Sequence, residues 1–126
     1  MRVLIVDDHE VIRRGLRTVL GLRKTVEICG EAADGKEAVD KARELKPDLV
    51  ILDINMPGMD GFAALKELKA FLPGAAILFF SMHGNANTIK QAMAVGAQGF
   101  VSKDQHSSVL LKAIDAIALG ETFFPS

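Results

Sequence analysis

Short apolar runs alternate along this chain with longer segments of helical period. Residues Arg2–Val6, Val26–Cys29 with an extension to Ala33, Leu49–Leu52, Ala75–Phe80 and Gly99–Val101 are predicted strands, continuous enough in apolar character to be buried on both faces. The segments between them carry apolar residues at i, i+3 and i+4, the mark of helices with one buried face. A helix over 10–22 would bury Val11, Ile12, Gly15, Leu16, Val19 and Leu20 and stop at Gly21. A second over 35–45 would start at an Asp34 cap and end before Pro47, and a third over 61–71 would start at an Asp60 cap and end before Pro73-Gly74. A fourth over 86–95, with Ile89, Ala92 and Met93 inward, has a weak period and poor caps, which makes it the least stable helix expected. The fifth, over 105–119, buries Val109, Leu110, Ala113, Ile114 and Ile117 and stops at Gly120.

Repeated strand and helix units specify an α/β fold with a parallel sheet, because a parallel connection must cross over and does so right-handedly. For five strands the expectation is a flavodoxin-like doubly wound sheet in the order 2-1-3-4-5, with helices on both faces. Residues 1–120 form the expected domain, and 121–126 read as a C-terminal tail.

Four of the apolar runs end in polar residues that such a sheet would gather at one edge. Asp7-Asp8 follows the first run, Asp53 the third, Ser81 the fourth and Lys103 the fifth, while the second run, at the sheet's outer edge in this order, contributes none. Singly, each is an ordinary turn former or solvated side chain. Together, three close carboxylates would repel one another and push at least one pKa upward unless a cation joined them. A hard divalent cation with oxygen ligands resolves that, and Mg²⁺ typically takes one or two carboxylates plus phosphate and water. Asp53, on the central strand, is then the best placed nucleophile for an aspartyl phosphate, with Ser81 and Lys103 meeting the phosphoryl oxygens from the other side. Asn55 to Gly61 forms a tight loop around Pro57-Gly58, whose backbone can offer the metal a carbonyl.

Composition narrows the alternatives. Fifteen basic and 16 acidic residues give a net charge of −1, so the chain is not built to grip a nucleic-acid backbone, and the Arg13, Arg14 and Arg17 cluster reads as a solvated helix face. The single cysteine, Cys29, cannot form an internal disulfide and reads as a buried structural thiol. Only four apolar residues separate Arg2 from Asp7, too few for a signal peptide, and no segment approaches the ~20 apolar residues of a membrane span. A cytoplasmic location is the expectation. A histidine-based metal set is disfavoured, since His9, His83 and His106 lack ligand spacing; His83 is a candidate for tuning water access to the aspartyl phosphate.

Val6-Asp7-Asp8-His9, the stretch Leu52 to Gly61, Ser81-Met82-His83 and Gly99-Phe100-Val101-Ser102-Lys103 resemble, in order, the motifs of response-regulator receiver domains of two-component signalling. Asp8-His9 followed by Arg13-Arg14-Gly15-Leu16, and Lys103-Asp104 in place of the common Lys-Pro, are similar to the NarL/FixJ branch. The resemblance implies a phosphoacceptor at Asp53, Mg²⁺ held by Asp8, Asp53 and the Asn55 carbonyl with Asp7 assisting, and a switch at Ser81, Phe100 and Lys103. It implies a sensor histidine kinase as phosphoryl donor, homodimerisation on phosphorylation, and a DNA-binding output domain outside this chain. Such a domain is a signalling switch that catalyses its own phosphorylation and dephosphorylation. Phe100 stands where many receivers carry tyrosine, which removes a hydroxyl contact but keeps an aromatic ring. Rival readings are a stand-alone receiver, an interaction module that works without phosphorylation, and a haloacid-dehalogenase-type phosphatase. The phosphatase reading is opposed by sequence order, because Asp53-Ile54-Asn55 follows the third strand and lacks the second acid of an Asp-x-Asp pair.

Overall fold

The computed structural model describes residues 1–82 and 84–125. Five strands, β1 (Arg2–Val6), β2 (Glu27–Ala32), β3 (Leu49–Leu52), β4 (Ala76–Ser81) and β5 (Gly99–Ser102), alternate with five helices, α1 (Glu10–Leu20), α2 (Gly35–Leu45), α3 (Gly61–Phe71), α4 (Ala86–Ala94) and α5 (Ser107–Ala118). The strands form one parallel sheet in the order β2-β1-β3-β4-β5, the flavodoxin-like topology expected from the sequence.

The pleat splits the apolar runs into two cores, since successive strand side chains point to opposite faces. Leu4, Val6, Val50, Leu52, Ile77, Phe79 and Phe100 face α2, α3 and α4. Val3, Ile5, Leu49, Ile51, Leu78 and Val101 face α1 and α5. β1 and β3 are almost wholly buried, as their composition demands, whereas β2 at the sheet's edge is only half-buried. Cys29 sits there half-buried, its Sγ 3.4 Å from the Val3 carbonyl oxygen, and burial pushes the thiol up, away from the reactive thiolate form.

The expected caps of α2 and α3 are present. Asp34 accepts from the Glu37 N–H at 2.8 Å and Asp60 from the Ala63 N–H at 2.9 Å. Several expectations need correction. α1 ends at Leu20, and its buried stripe is Ile12, Leu16, Val19 and Leu20; Val11 is 76% exposed and Gly15 is exposed, because they lie on the flank of the helix above the cleft toward α5. α4 is not poorly capped at its start, since the Asn85 side chain accepts from the Thr88 N–H at 2.8 Å. Its packing is thin all the same: only Ala92 is fully buried, and Met93 is 55% exposed rather than inward. β4 runs one residue further than expected and includes Ser81, which pairs with Ser102 of β5.

After α5, Gly120 takes a left-handed φ of 81°, and the chain returns along the free edge of β5. The Phe100 N–H donates to the Phe123 carbonyl and the Phe123 N–H to the Gln98 carbonyl, both at 2.9 Å, so residues around 123 form a bridge on that edge. Phe123 packs toward the α1/α5 core and Phe124 toward the opposite one. Among the described residues no helix is long and apolar enough to cross a membrane.

Candidate functional site

Parallel strands all end at the same side of the sheet, so the polar residues that follow them converge there. Among the described residues, the buried polar residues Asp7, Asp53 and Ser81 all sit at these strand ends. Backbone pairing fixes their relative depth: the Asp53 N–H donates to the Val6 carbonyl at 3.1 Å and the Lys103 N–H to the Ser81 carbonyl at 2.8 Å.

Lys103 ties the acids together. Its Nζ lies 2.5 Å from Asp7 Oδ2 and 3.1 Å from Asp53 Oδ2, with all three side chains at most 5% exposed. Burial works against the ammonium charge, yet pairing with Asp7 and Asp53 outweighs it and holds Lys103 above the ordinary lysine range. Asp53 shows the reverse balance. Burial pushes its carboxyl up, and the hydrogen bond and charge of Lys103 oppose that without cancelling it, while Asp7 adds like-charge repulsion. The other oxygen, Asp53 Oδ1, accepts from the Ile54 N–H at 2.8 Å.

The loop after Asp53 closes tightly over it. The Gly61 N–H donates to the Ile54 carbonyl at 2.8 Å. A Cβ on Gly61 would lie 2.7 Å from Ile54 Cα and closer still to the Asp53 carbonyl oxygen, so only glycine lets α3 begin directly against the Asp53 backbone. Asn55 sits exposed in this loop.

One oxygen each of Asp7, Asp8 and Asp53 and a ring nitrogen of His9 lie within 4.8 Å of one another. His9 Nδ1 is 3.1 Å from both Asp7 Oδ1 and Asp8 Oδ1, and the His9 N–H donates to Asp7 Oδ1 at 2.9 Å. Among the described residues, none gives a well-formed hydrogen bond to Asp7 Oδ2 or Asp8 Oδ1; the Lys103 and His9 nitrogens approach them as ion contacts outside hydrogen-bond geometry. Buried carboxylate oxygens left so are costly unless something else meets them. Their crowding and their hard oxygen chemistry fit a divalent cation such as Mg²⁺.

The structure thus brings together Asp7, Asp8, Asp53 and Lys103 and places Ser81 at the same edge. Phe100 is fully buried, and a Cβ on Gly84 would lie 2.9 Å from its ring, so the aromatic face is packed inward beneath the segment that leads into α4. His83 lies outside the described residues. His9 borders the site, as its place directly after the acid pair implies, with its ring on both carboxylates. Arg13 is the neighbour that sequence reasoning misses: it belongs to a cluster that reads as a solvated helix face, but its side chain is only 17% exposed and donates from Nη1 to the Asp7 carbonyl at 2.6 Å.

A family model described as the response regulator receiver domain matches residues 3–115. The nitrate/nitrite response regulator protein NarL of Escherichia coli is 34% identical over 119 residues, which is 94% of this chain and 55% of that protein. The response regulator protein VraR of Staphylococcus aureus is 35% identical over 124 residues, 98% of this chain and 59% of that protein. The chain therefore spans a little over half the length of the curated relatives it matches. The isolated receiver domain of RcsB from Salmonella enterica serovar Typhimurium, solved with a phosphomimetic beryllium fluoride, superposes with a TM-score of 0.94 at 29% identity, covering 100% of this chain and 94% of that one.

Proposed function

The chain belongs to the response regulator receiver domain family, in its NarL/LuxR-type branch, and from that premise we propose that Asp53 is its phosphoacceptor. Receiver domains of this family are signalling switches rather than classical enzymes, interact with histidine kinases and bind Mg²⁺ at an acidic pocket. The observation that carries the proposal is the arrangement around Asp53: a buried carboxylate 3.1 Å from the Lys103 ammonium and within 4.8 Å of the oxygens of Asp7 and Asp8.

In the transfer we propose, an oxygen of Asp53 forms a bond to the phosphorus of a phosphohistidine on the kinase. The P–N bond breaks, and the imidazole leaves with the electron pair. Lys103 compensates charge on the phosphoryl oxygens, and its buried pairing keeps it protonated for that role. Asp8, Asp53 and the Asn55 carbonyl, with Asp7 assisting, are the proposed ligands of Mg²⁺, which when bound neutralises charge and aligns the phosphoryl group. Ser81 is read as the hydroxyl drawn to the new phosphoryl oxygens.

The phosphoryl group adds about two negative charges at this edge. A shift from 1:99 to 99:1 takes ~5.5 kcal/mol, whereas one charged hydrogen bond nets ~1.5–3, so Ser81 and Lys103 act together. The surface we expect to respond is α4 and β5, because Ser81 leads toward α4, Phe100 lies on β5, and α4 buries little of itself. We read 1–120 as the receiver and 121–126 as the start of a connection to a DNA-binding output domain, with phosphorylation promoting a homodimer.

Incubation with Mg²⁺ and acetyl phosphate, followed by intact mass measurement, tests the assignment. One phosphoryl adduct on the wild type and none on Asp53→Asn is expected. An unmodified wild type would favour an interaction module, and multiple turnover of a phosphomonoester would favour a phosphatase.

A further inference from the structure

Three arginines fall within five residues of α1, yet they are not equivalent. Arg14 is 75% exposed and pairs with Glu10 along the helix. Arg13 is folded inward, and its guanidinium makes two bonds from one plane: Nη1 donates to the Asp7 carbonyl at 2.6 Å and Nε to Glu31 Oε1 at 2.9 Å. Arg17 takes the other oxygen of Glu31, so that carboxylate is held from both sides. Asp7 is itself gripped twice through its backbone, its carbonyl by Arg13 and its N–H by the Ala32 carbonyl at 3.1 Å. The Arg13 N–H closes the loop by donating to the His9 carbonyl at 3.2 Å.

The carbonyl that Arg13 holds belongs to the peptide joining Asp7 to Asp8. A peptide is planar, so with the chain anchored on either side by the Asp7 N–H bond to Ala32 and the Arg13 N–H bond to His9, fixing the direction of this carbonyl fixes the ψ of Asp7 and restrains the φ of Asp8 with it. Those two torsions decide how the carboxylates of Asp7 and Asp8 stand relative to each other. We propose that Arg13, braced on Glu31 at the end of β2, is a positioning residue that holds the Asp7-Asp8 pair in the spacing a divalent cation requires. The assignment rests on the cation-binding reading of the site given above.

Positioning and simple electrostatics predict opposite signs. Arg13 is a cation beside the site, so if charge were its only influence its removal would tighten metal binding. If it sets the geometry of the acid pair, its removal loosens binding, as loss of outer partners of metal ligands does.

Mn²⁺ is the probe, because the free ion's electron paramagnetic resonance signal falls as it binds and reports affinity without any phosphorylation. Arg13→Met keeps the length and apolar stem but donates nothing. Its Mn²⁺ dissociation constant is expected to rise about tenfold, the lower end for outer partners of metal ligands. Arg13→Lys is expected to fall between that variant and wild type, because one ammonium cannot give two coplanar bonds. Equal or tighter Mn²⁺ binding by Arg13→Met overturns the proposal, and if that variant fails to fold, wild-type affinity in Arg13→Lys overturns it instead. A wild type that does not bind Mn²⁺ at all overturns the cation site itself, and this assignment with it.

Discussion

Asp53→Asn should make the metal-free protein more stable while abolishing its response to Mg²⁺. Asp53 faces two other carboxylates within 4.8 Å and one ammonium at 3.1 Å. At an effective dielectric near 20, each repulsion is worth at least about 3.5 kcal/mol and the attraction about 5.4 kcal/mol, so ionised Asp53 carries a net penalty of roughly 1–2 kcal/mol before burial is counted. Asparagine keeps an oxygen for the Ile54 N–H and removes the charge. In a chelator at neutral pH the variant should therefore gain roughly 1–2 kcal/mol by urea unfolding, about 4 °C in Tm per kcal/mol for a domain of this size. Mg²⁺ at a hundred times its dissociation constant would stabilise the wild type by ~2.7 kcal/mol and the variant hardly at all, reversing their order. The pH dependence has a definite sign. Burial raises the Asp53 pKa in the folded state above its unfolded value, so its cost is fully present above the folded pKa and fades as pH falls through the folded pKa toward the unfolded one. The gap between variant and wild type should close over that range. A metal-free Asp53→Asn that unfolds at lower urea than wild type, or an equal Mg²⁺ gain in both proteins, would refute this balance of charges.

Two further perturbations probe the same edge. Lys103→Met leaves Asp7 and Asp53 buried without their cation and should cost about 3–5 kcal/mol in chelator by urea unfolding, with much of the loss recovered in Mg²⁺; a loss that Mg²⁺ does not touch would place the role of Lys103 elsewhere. Gly61→Ala drives a methyl into the backbone of Asp53 and Ile54, and the loop must shift at a cost of about 1–3 kcal/mol. Amide chemical shifts of 53–61 should move and acetyl phosphate labelling should slow; unchanged shifts would show that α3 can back away freely.

Much of the site was legible because parallel topology turns order along the chain into position in space. Each polar residue needed only its place at the end of an apolar run to be assigned to the common edge, and the Asp34 and Asp60 caps followed from residue type alone. Side-chain direction on the helices was less legible. Val11 belongs to the apolar repeat of α1 as much as Leu16 does, yet it stands outside because the helix presents only the Ile12, Leu16 and Val19/Leu20 stripe to the sheet. Met93 on α4 fails in the same way, on a helix with little to pack against. The Asn85 cap is legible from residue type, since asparagine before a helix is a favoured cap and α4 begins at residue 86, where its period predicts.

Taken alone, the sequence determined the layered α/β fold and the identity of the acid, hydroxyl and ammonium groups at one edge, because these depend on local periodicity and on the rule that parallel strands end together, whereas the strand order followed from the commonest topology for five such strands. Tertiary structure decided how those groups meet: Lys103 reaching Asp53 across 50 residues and bridging it to Asp7, Arg13 reaching the Asp7 carbonyl while braced on Glu31, and residues near Phe123 closing the edge of β5. Such pairings are set by the register of strands and the tilt of helices. A pattern of polar and apolar positions does not encode either, since one arginine on a half-polar helix face reads the same whether it points into solvent or holds a peptide in place.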